Sequence, residues 1–392
     1  VNGGAKVMAE RTYLDWNATA PLRPQAREAM VAALDLPGNP SSVHAEGRAA
    51  RRLIDEARRR VAALVGGEPA DVVFTSGGTE ANAMALCPTR GADALLVSLI
   101  EHPSVLAGGR FSSEKMIPVP VGPDGVVDLA ALERQLAALA QEGRRALVSL
   151  MHANNETGVV QPVAAAAAIV HAAGGVLHVD AVQTAGRIPC DIKALGTDLL
   201  TLSGHKLGGP KGVGALVRAS AAVDWPVPLI RGGGQERGTR AGTENVAAIA
   251  GLGAAAAAAA QDLAAEARRL AALRDRLETQ LTAAFPQTVV FGTGAARLPN
   301  TTLFALPGVK AETAVIGLDL AGVAVSSGAA CSSGKVAASH VLAAMGVPAP
   351  LARGAVRVSL GYGTQEADIA RFLAAWRTLA ETLSKESRGM AA

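Results

Sequence analysis

Four short stretches combine residue types that can do chemistry with a spacing that brings them to strand ends. The first, Phe74-Thr75-Ser76-Gly77-Gly78-Thr79-Glu80, follows an apolar run and precedes a helical one. Gly77 and Gly78 let backbone N–H groups approach an anion, Thr79 adds a hydroxyl, and a helix N-terminus favours negative charge. The same residues also read as a helix-capping turn with Thr79 as the cap. In the second, Val176–Val179 ends in Asp180, followed by Gln183. Asp180 is either a helix cap or a carboxylate able to keep a pyridinium nitrogen protonated, with Gln183 in reach of a phenolic oxygen on the same ring. The third, Thr201-Leu202-Ser203-Gly204-His205-Lys206, ends an apolar strand in a lysine before a Gly-rich turn. Lys206 reads as surface charge, or as a partly buried amine with a lowered pKa, which Schiff-base chemistry requires. Ser203 and His205 are placed to hold a phosphate.

The fourth stretch, Ser326-Ser327-Gly328-Ala329-Ala330-Cys331-Ser332-Ser333-Gly334-Lys335, surrounds one cysteine with small and hydroxylated residues. Nothing in it can pack a core, so it reads as an exposed loop carrying a working thiol. Cys87 and Cys190 sit in apolar surroundings and read as small buried hydrophobes. Three scattered cysteines support neither a disulfide framework nor a zinc site, and no metal site is expected.

The elements that must position these residues follow from the pattern around them. Short apolar runs (Val72–Phe74, Leu95–Ser98, Leu147–Met151, Gly175–Val179, Leu199–Leu202) alternate with helical segments, the rhythm of an α/β domain with a mainly parallel sheet. Open sheets of this kind bind ligands at the carboxyl ends of their strands. Ala-rich stretches read as packed helix, because alanine has the best helix propensity. A long charged helix from about Gln261 to Phe285 leads to three further strand candidates, Thr301–Leu306, Val323–Ser326 and Ala355–Leu360, of a smaller α+β domain.

Composition narrows the class. The 392 residues carry a net charge of only +3, and the densest arginine cluster, Arg48 to Arg60, is interrupted by Asp55 and Glu56. It reads as a solvated helix face, and no nucleic-acid partner is expected. The uncharged run Asn245–Gln261 is too short and too weakly apolar for a membrane span. No secretory signal pattern is visible. A reducing cytoplasm suits the cysteine usage. Val1–Val7, before Met8, are left out of the fold argument.

Taken together, the motifs resemble the cysteine desulfurases of the class V aminotransferase family. The resemblance runs from Tyr13-Leu14-Asp15-Trp16-Asn17 to Arg357-Val358-Ser359-Leu360-Gly361. It includes Gly38–His44, Glu101-His102-Pro103-Ser104, Asn154-Asn155-Glu156-Thr157-Gly158 and Arg231–Thr243. It implies the aspartate-aminotransferase-like fold (fold type I) that binds pyridoxal 5'-phosphate (PLP). Residues 16–260 would form the large domain. Residues 1–15 and 261–392 would form the small domain, with the cysteine loop at 326–340.

By the same resemblance Lys206 would carry PLP and later act as acid and base, and His102 would stack on the ring. Asp180 and Gln183 would hold the ring, with Asn155 reaching its oxygen or the substrate. Gly78, Thr79, Ser203 and His205 would bind the phosphate, joined by Thr243 from the other copy of a homodimer. Arg357 would clamp the carboxylate of L-cysteine. Cys331 would take the sulfur as a persulfide while alanine leaves, then pass it to an acceptor protein, an iron–sulfur scaffold or another sulfurtransferase. The Cys331 surroundings resemble the long-loop branch that serves nitrogen fixation and iron–sulfur assembly. The short polar tail after Leu383 lacks the extension by which housekeeping members dock a scaffold. An aminotransferase or a selenocysteine-selective lyase would share Lys206 and Asp180 without needing Cys331.

Overall fold

The structure, a computed structural model, describes residues 11–88, 91–328 and 339–389, with the backbone alone for 384–389. Cys331, and with it most of the stretch expected as the cysteine loop, lies outside the described residues.

Seven strands form the large sheet in the order Val72–Thr75, Gly214–Arg218, Leu199–Ser203, Val176–Asp180, Arg145–Met151, Ala92–Ser98, Met116–Val119. All pairings from Leu199–Ser203 outward to Met116–Val119 are parallel. Gly214–Arg218 runs antiparallel to both its neighbours. The strand register brings the chemistry to one edge. Gly214 pairs with Thr75 on one side and with Ser203 on the other, so the Gly77-Gly78 loop and the Ser203–Lys206 turn leave the sheet side by side. Asp180 is level with Met151 and Thr201 on the next two strands. Gly214 has to be glycine: a Cβ there would lie 2.6 Å from the Gly77 carbonyl carbon and 2.7 Å from the Leu202 oxygen.

Two of these strands were not legible beforehand. Met116–Val119 is a short edge strand containing Pro118, which an edge tolerates and an interior position does not. Gly214–Arg218 follows so closely on the Gly-rich turn after Lys206 that it merged with it.

The helix Ala45–Leu64 covers one face of the sheet with Ala50, Ile54, Ala57 and Val61, at the alternating spacing of 4 and 3 that keeps side chains on one face. The expectation of a uniformly solvated arginine face is corrected at one position. Arg58 falls beside that apolar stripe and is buried, bonded at 2.7 Å to both carboxylate oxygens of Glu236 and stacked over the Phe74 ring.

One helix runs unbroken from Val246 to Ala284, through the expected domain boundary at 260/261. Its Ala- and Gly-rich first half is buried against Ala45–Leu64, where a Cβ on Gly253 would stand 2.5 Å from the Ala57 Cα. Its later leucines, Leu270, Leu273, Leu277 and Leu281, join a second core with Leu14, Phe304, Phe372 and Trp376. At 39 residues, with a mean hydropathy of 1.5 in its most apolar window, the helix is long and apolar enough to cross a membrane, against the expectation from the shorter run. Burial between protein layers accounts for that composition.

The second core lies against a four-stranded antiparallel sheet ordered Ser326–Ser327, Val356–Ser359, Thr301–Ala305, Val289–Val290. The expected strand Val323–Ser326 is split. Val323–Ala324 pairs in parallel with Thr12–Tyr13, while Ser326–Ser327 pairs with Arg357 and Val356. Side-chain alternation along Val356–Ser359 sends Val356 and Val358 into the core and turns Arg357 and Ser359 to the opposite face.

Phe304 meets Trp376 edge-on with centroids 4.9 Å apart, and Phe372 stacks beside Trp376 at 15° between planes. Trp376→Ala should therefore cost about 3–5 kcal/mol of stability, read from the midpoint of denaturant unfolding. A loss below about 1 kcal/mol, the size of an ordinary surface change, would contradict this packing account.

Candidate active site

The phosphate end is built where three chain segments touch. A Cβ on Gly78 would meet Val182 Cγ2 at 2.9 Å and Ser203 Cβ at 3.3 Å, so only glycine lets the loop, the Asp180 turn and the Ser203 strand close together. The helix Gly78–Ala85 starts with no side-chain cap, which leaves its first-turn N–H groups for an anion. Thr79 is exposed there and Ser203 is buried. His205 Nδ1 lies 3.1 Å from the Thr19 hydroxyl. Burial, helped by Lys206, Lys211 and Arg187, lowers its pKa to about 4, so it meets a phosphate as a neutral hydrogen-bonding group. Glu80, an acid beside this site, is held by Arg240 at 2.9 Å. That ion pair also ties the phosphate loop to the segment carrying Thr243, which is exposed.

Asp180 caps the turn that follows its strand: Oδ1 accepts from the Val182 backbone N–H at 2.9 Å. Oδ2 accepts from Asn82 Nδ2 at 2.8 Å. The carboxylate is buried, yet it retains lone pairs for a protonated ring nitrogen. His102 begins the short helix Pro103–Leu106, and its Nδ1 accepts from the Ser104 N–H at 3.1 Å. An acceptor at Nδ1 places the ring proton on Nε2. The His102 side chain is exposed, with neighbouring protein groups around part of it. This partial desolvation lowers its pKa, opposed by Asp180 and assisted by Lys206 and His340.

Lys206 closes the site. Its Nζ donates to the Asn17 carbonyl at 2.5 Å and to the Ala18 carbonyl at 2.7 Å. Burial lowers its pKa to about 7, with Arg187 and Arg357 adding to the shift and Asp15 and Asp180 opposing it. A lysine that is half deprotonated at neutral pH can attack a carbonyl carbon.

From the small sheet, the buried Arg357 donates to Asp15 Oδ1 at 2.7 Å and to the Asn155 carbonyl at 3.0 Å. Its Nε has no partner among the described residues, so the guanidinium still has a donor to offer a carboxylate. Asn155 is half-buried beside it. Gln183 is buried and donates to the Asn17 carbonyl at 3.1 Å.

Four contributors were given no role beforehand. Asn17 and Asp15 sat inside a motif quoted for resemblance alone. Asn82 looked like one more helical residue after the glycine loop. Arg187, in a turn after Asp180, carries no local sequence pattern that marks it for the site.

An uncapped helix start, a capped carboxylate and a desolvated lysine at adjoining strand ends form a set that fits PLP: donors for its phosphate, an acid for its ring nitrogen and an amine for its aldehyde. Residues 12–372 match the aminotransferase class-V family. The chain belongs to that family, among its cysteine desulfurases. A cysteine desulfurase of Cereibacter sphaeroides is 44% identical over 375 residues, covering 93% of this chain and 94% of that one. Among solved structures, a NifS-like protein from Rickettsia africae superposes with a TM-score of 0.87 at 37% identity, covering 95% of this chain and all of the other. SspA in complex with cysteine superposes with a TM-score of 0.75 at 29% identity, covering 89% and 98%. This protein is a PLP-dependent enzyme of fold type I.

Because the lowered pKa makes Lys206 nucleophilic only when deprotonated, the cofactor-free protein should capture PLP at a rate that rises with pH and levels off above about 7. Stopped-flow absorbance would follow it. A rate still climbing tenfold per unit between pH 8 and pH 10, as for an ordinary lysine, would contradict the desolvated amine.

Proposed function

We propose that the enzyme takes the sulfur from free L-cysteine, holds it as a persulfide on Cys331, releases L-alanine and passes the sulfur to an acceptor protein. The observation that carries this is the desolvated Lys206 amine beside a buried Arg357 that keeps a donor to spare. An amino acid presented there has its carboxylate fixed by guanidinium and its Cα next to a base. The bound cofactor supplies an electron sink for the charge that develops when a proton leaves Cα.

The chain's own groups do the rest. Asp180 would hold the proton on the cofactor's ring nitrogen, and Gln183 would hydrogen-bond its ring oxygen. The neutral Lys206 amine takes the α-proton and can return one, with His102 Nε2 as a second proton carrier. The Cys331 thiolate attacks the substrate sulfur. The new S–S bond forms as Cβ–Sγ breaks, the bonding pair stays on carbon, and protonation there leaves alanine.

We also assign a homodimer. Val227, Leu229 and Ile230 are exposed just before the Arg231–Thr243 segment, an apolar run suited to a second copy that would receive Thr243 at its phosphate. The pathway we assign is iron–sulfur cluster assembly or another thiolation route in the cytoplasm, with a scaffold protein or a sulfurtransferase as acceptor.

Removing a nucleophile outright costs on the order of 10⁶ in rate. Cys331→Ala should therefore still change its absorbance on binding cysteine while alanine release collapses by several orders of magnitude, and no sulfur should be gained in the mass of the loop peptide. Cys87→Ala and Cys190→Ala should keep near-normal turnover: both thiols are buried, and burial pushes Cys190 up to about 12. Near-normal alanine release from Cys331→Ala would instead establish a lyase that eliminates sulfur directly.

A further inference from the structure

Arg187 is a part-buried cation whose guanidinium is bonded only to neutral oxygens. Nη1 donates to Asn17 Oδ1 at 2.9 Å, to the Gln183 carbonyl at 3.2 Å and to Gln183 Oε1 at 2.5 Å. Nη2 donates to the Trp16 carbonyl at 3.2 Å and reaches the Lys206 carbonyl at 3.4 Å. Among the described residues it makes no ion pair. Buried charges are ordinarily paired with an opposite charge, because desolvation without one is costly. A site that keeps an unpaired guanidinium next to its working lysine uses that charge.

Two consequences follow from the geometry. A guanidinium can only donate, so the Gln183 atom facing it must be the amide oxygen. The amide nitrogen then points away, with one hydrogen on the Asn17 carbonyl and the other left for an acceptor. The residue that contacts Gln183 also contacts the Lys206 main chain, and Asn17 links all three: its side chain accepts from Arg187 while its carbonyl accepts from Gln183 and from Lys206 Nζ. Moving any one of them disturbs the others.

We propose that Arg187 is a positioning residue of this active site, a built-in positive charge that locks the Gln183 amide with its N–H groups outward and bears on the Lys206 amine. This rests on Lys206 being the lysine that engages the cofactor. The charged groups around Lys206 come from every element packed against it. Arg187 is in the turn after Val176–Asp180 and Arg357 is on the small sheet, and both disfavour the ammonium form. Asp15 on the N-terminal segment and Asp180 at its strand end favour it. His102 and His205, both with lowered pKa values, are also nearby. With burial the largest cause, Arg187 is first among the charges that add to it.

The test begins with cofactor-free protein, so that it does not depend on turnover. Lys206 is labelled with acetic anhydride across pH 5 to pH 11 and the modified peptide is quantified by mass spectrometry. Wild-type labelling should have its midpoint near pH 7. In Arg187→Met the midpoint should rise by about one unit or more, the usual effect of one nearby like charge. Arg187→Gln, also neutral, carries the comparison if the methionine variant does not fold. Arg187→Lys keeps the charge but cannot serve these five oxygens as a planar fork does. Its midpoint should stay at the wild-type value, while kcat of the loaded enzyme falls about tenfold through a misplaced Gln183. Folded neutral variants that label at the wild-type midpoint would overturn the electrostatic role. A lysine variant with wild-type kcat would overturn the positioning one. If Lys206 proves not to hold the cofactor, the labelling midpoints still report whether Arg187 controls its proton.

Discussion

Lys206 is kept short of water and next to two guanidinium groups, and the rest of the site depends on that arrangement. An ammonium group normally holds its proton far above neutral pH, and burial removes the solvation that stabilises it. Here the amine finds only the Asn17 and Ala18 carbonyls, while Arg187 and Arg357 oppose a further positive charge. A neutral amine keeps two N–H groups for these two carbonyls, so both hydrogen bonds can persist, weakened, after the proton is lost. The same surroundings lower the pKa values of His102 and His205, which favours their neutral forms.

That arrangement needs pieces from both halves of the chain. The sheet register delivers Gly78, Asp180 and Ser203 to one edge. The N-terminal segment crosses from the second core to the first and supplies Asp15, Asn17 and Thr19 on the way. The small sheet contributes Arg357 through side-chain alternation alone, with Val356 and Val358 anchoring the strand that aims it. The long helix belongs to both cores, so a strain on one is felt by the other. A carboxylate clamp and a proton acceptor on separate sheets can thus be held at a fixed separation without a shared loop.

What the sequence revealed depended on whether the signal was local. Asp180 and Ser203 each end an apolar run and Lys206 follows in the turn after one, a pattern visible in the chain itself. Gly78 was visible as one of a glycine pair between strand and helix, which also reads as a capping turn. Arg187 and Asn82 gave no local sign, since what buries them is contact with segments up to 171 residues away. Arg58 was misread for the same reason: its partner Glu236 is 178 residues along the chain. The split of Val323–Ser326 into two pairings depended on where Thr12–Tyr13 comes to lie, which no window of sequence contains.

The central claim is that one desolvated lysine at this strand end forms the covalent bond to the cofactor. The most direct measurement is to reduce the PLP-loaded protein with borohydride at neutral pH, digest it and locate the pyridoxyl group by mass spectrometry. The account predicts a single modified peptide, with the group on Lys206 and the neighbouring Lys211 unmodified. A pyridoxyl group on Lys211, or spread over several surface lysines, would contradict it.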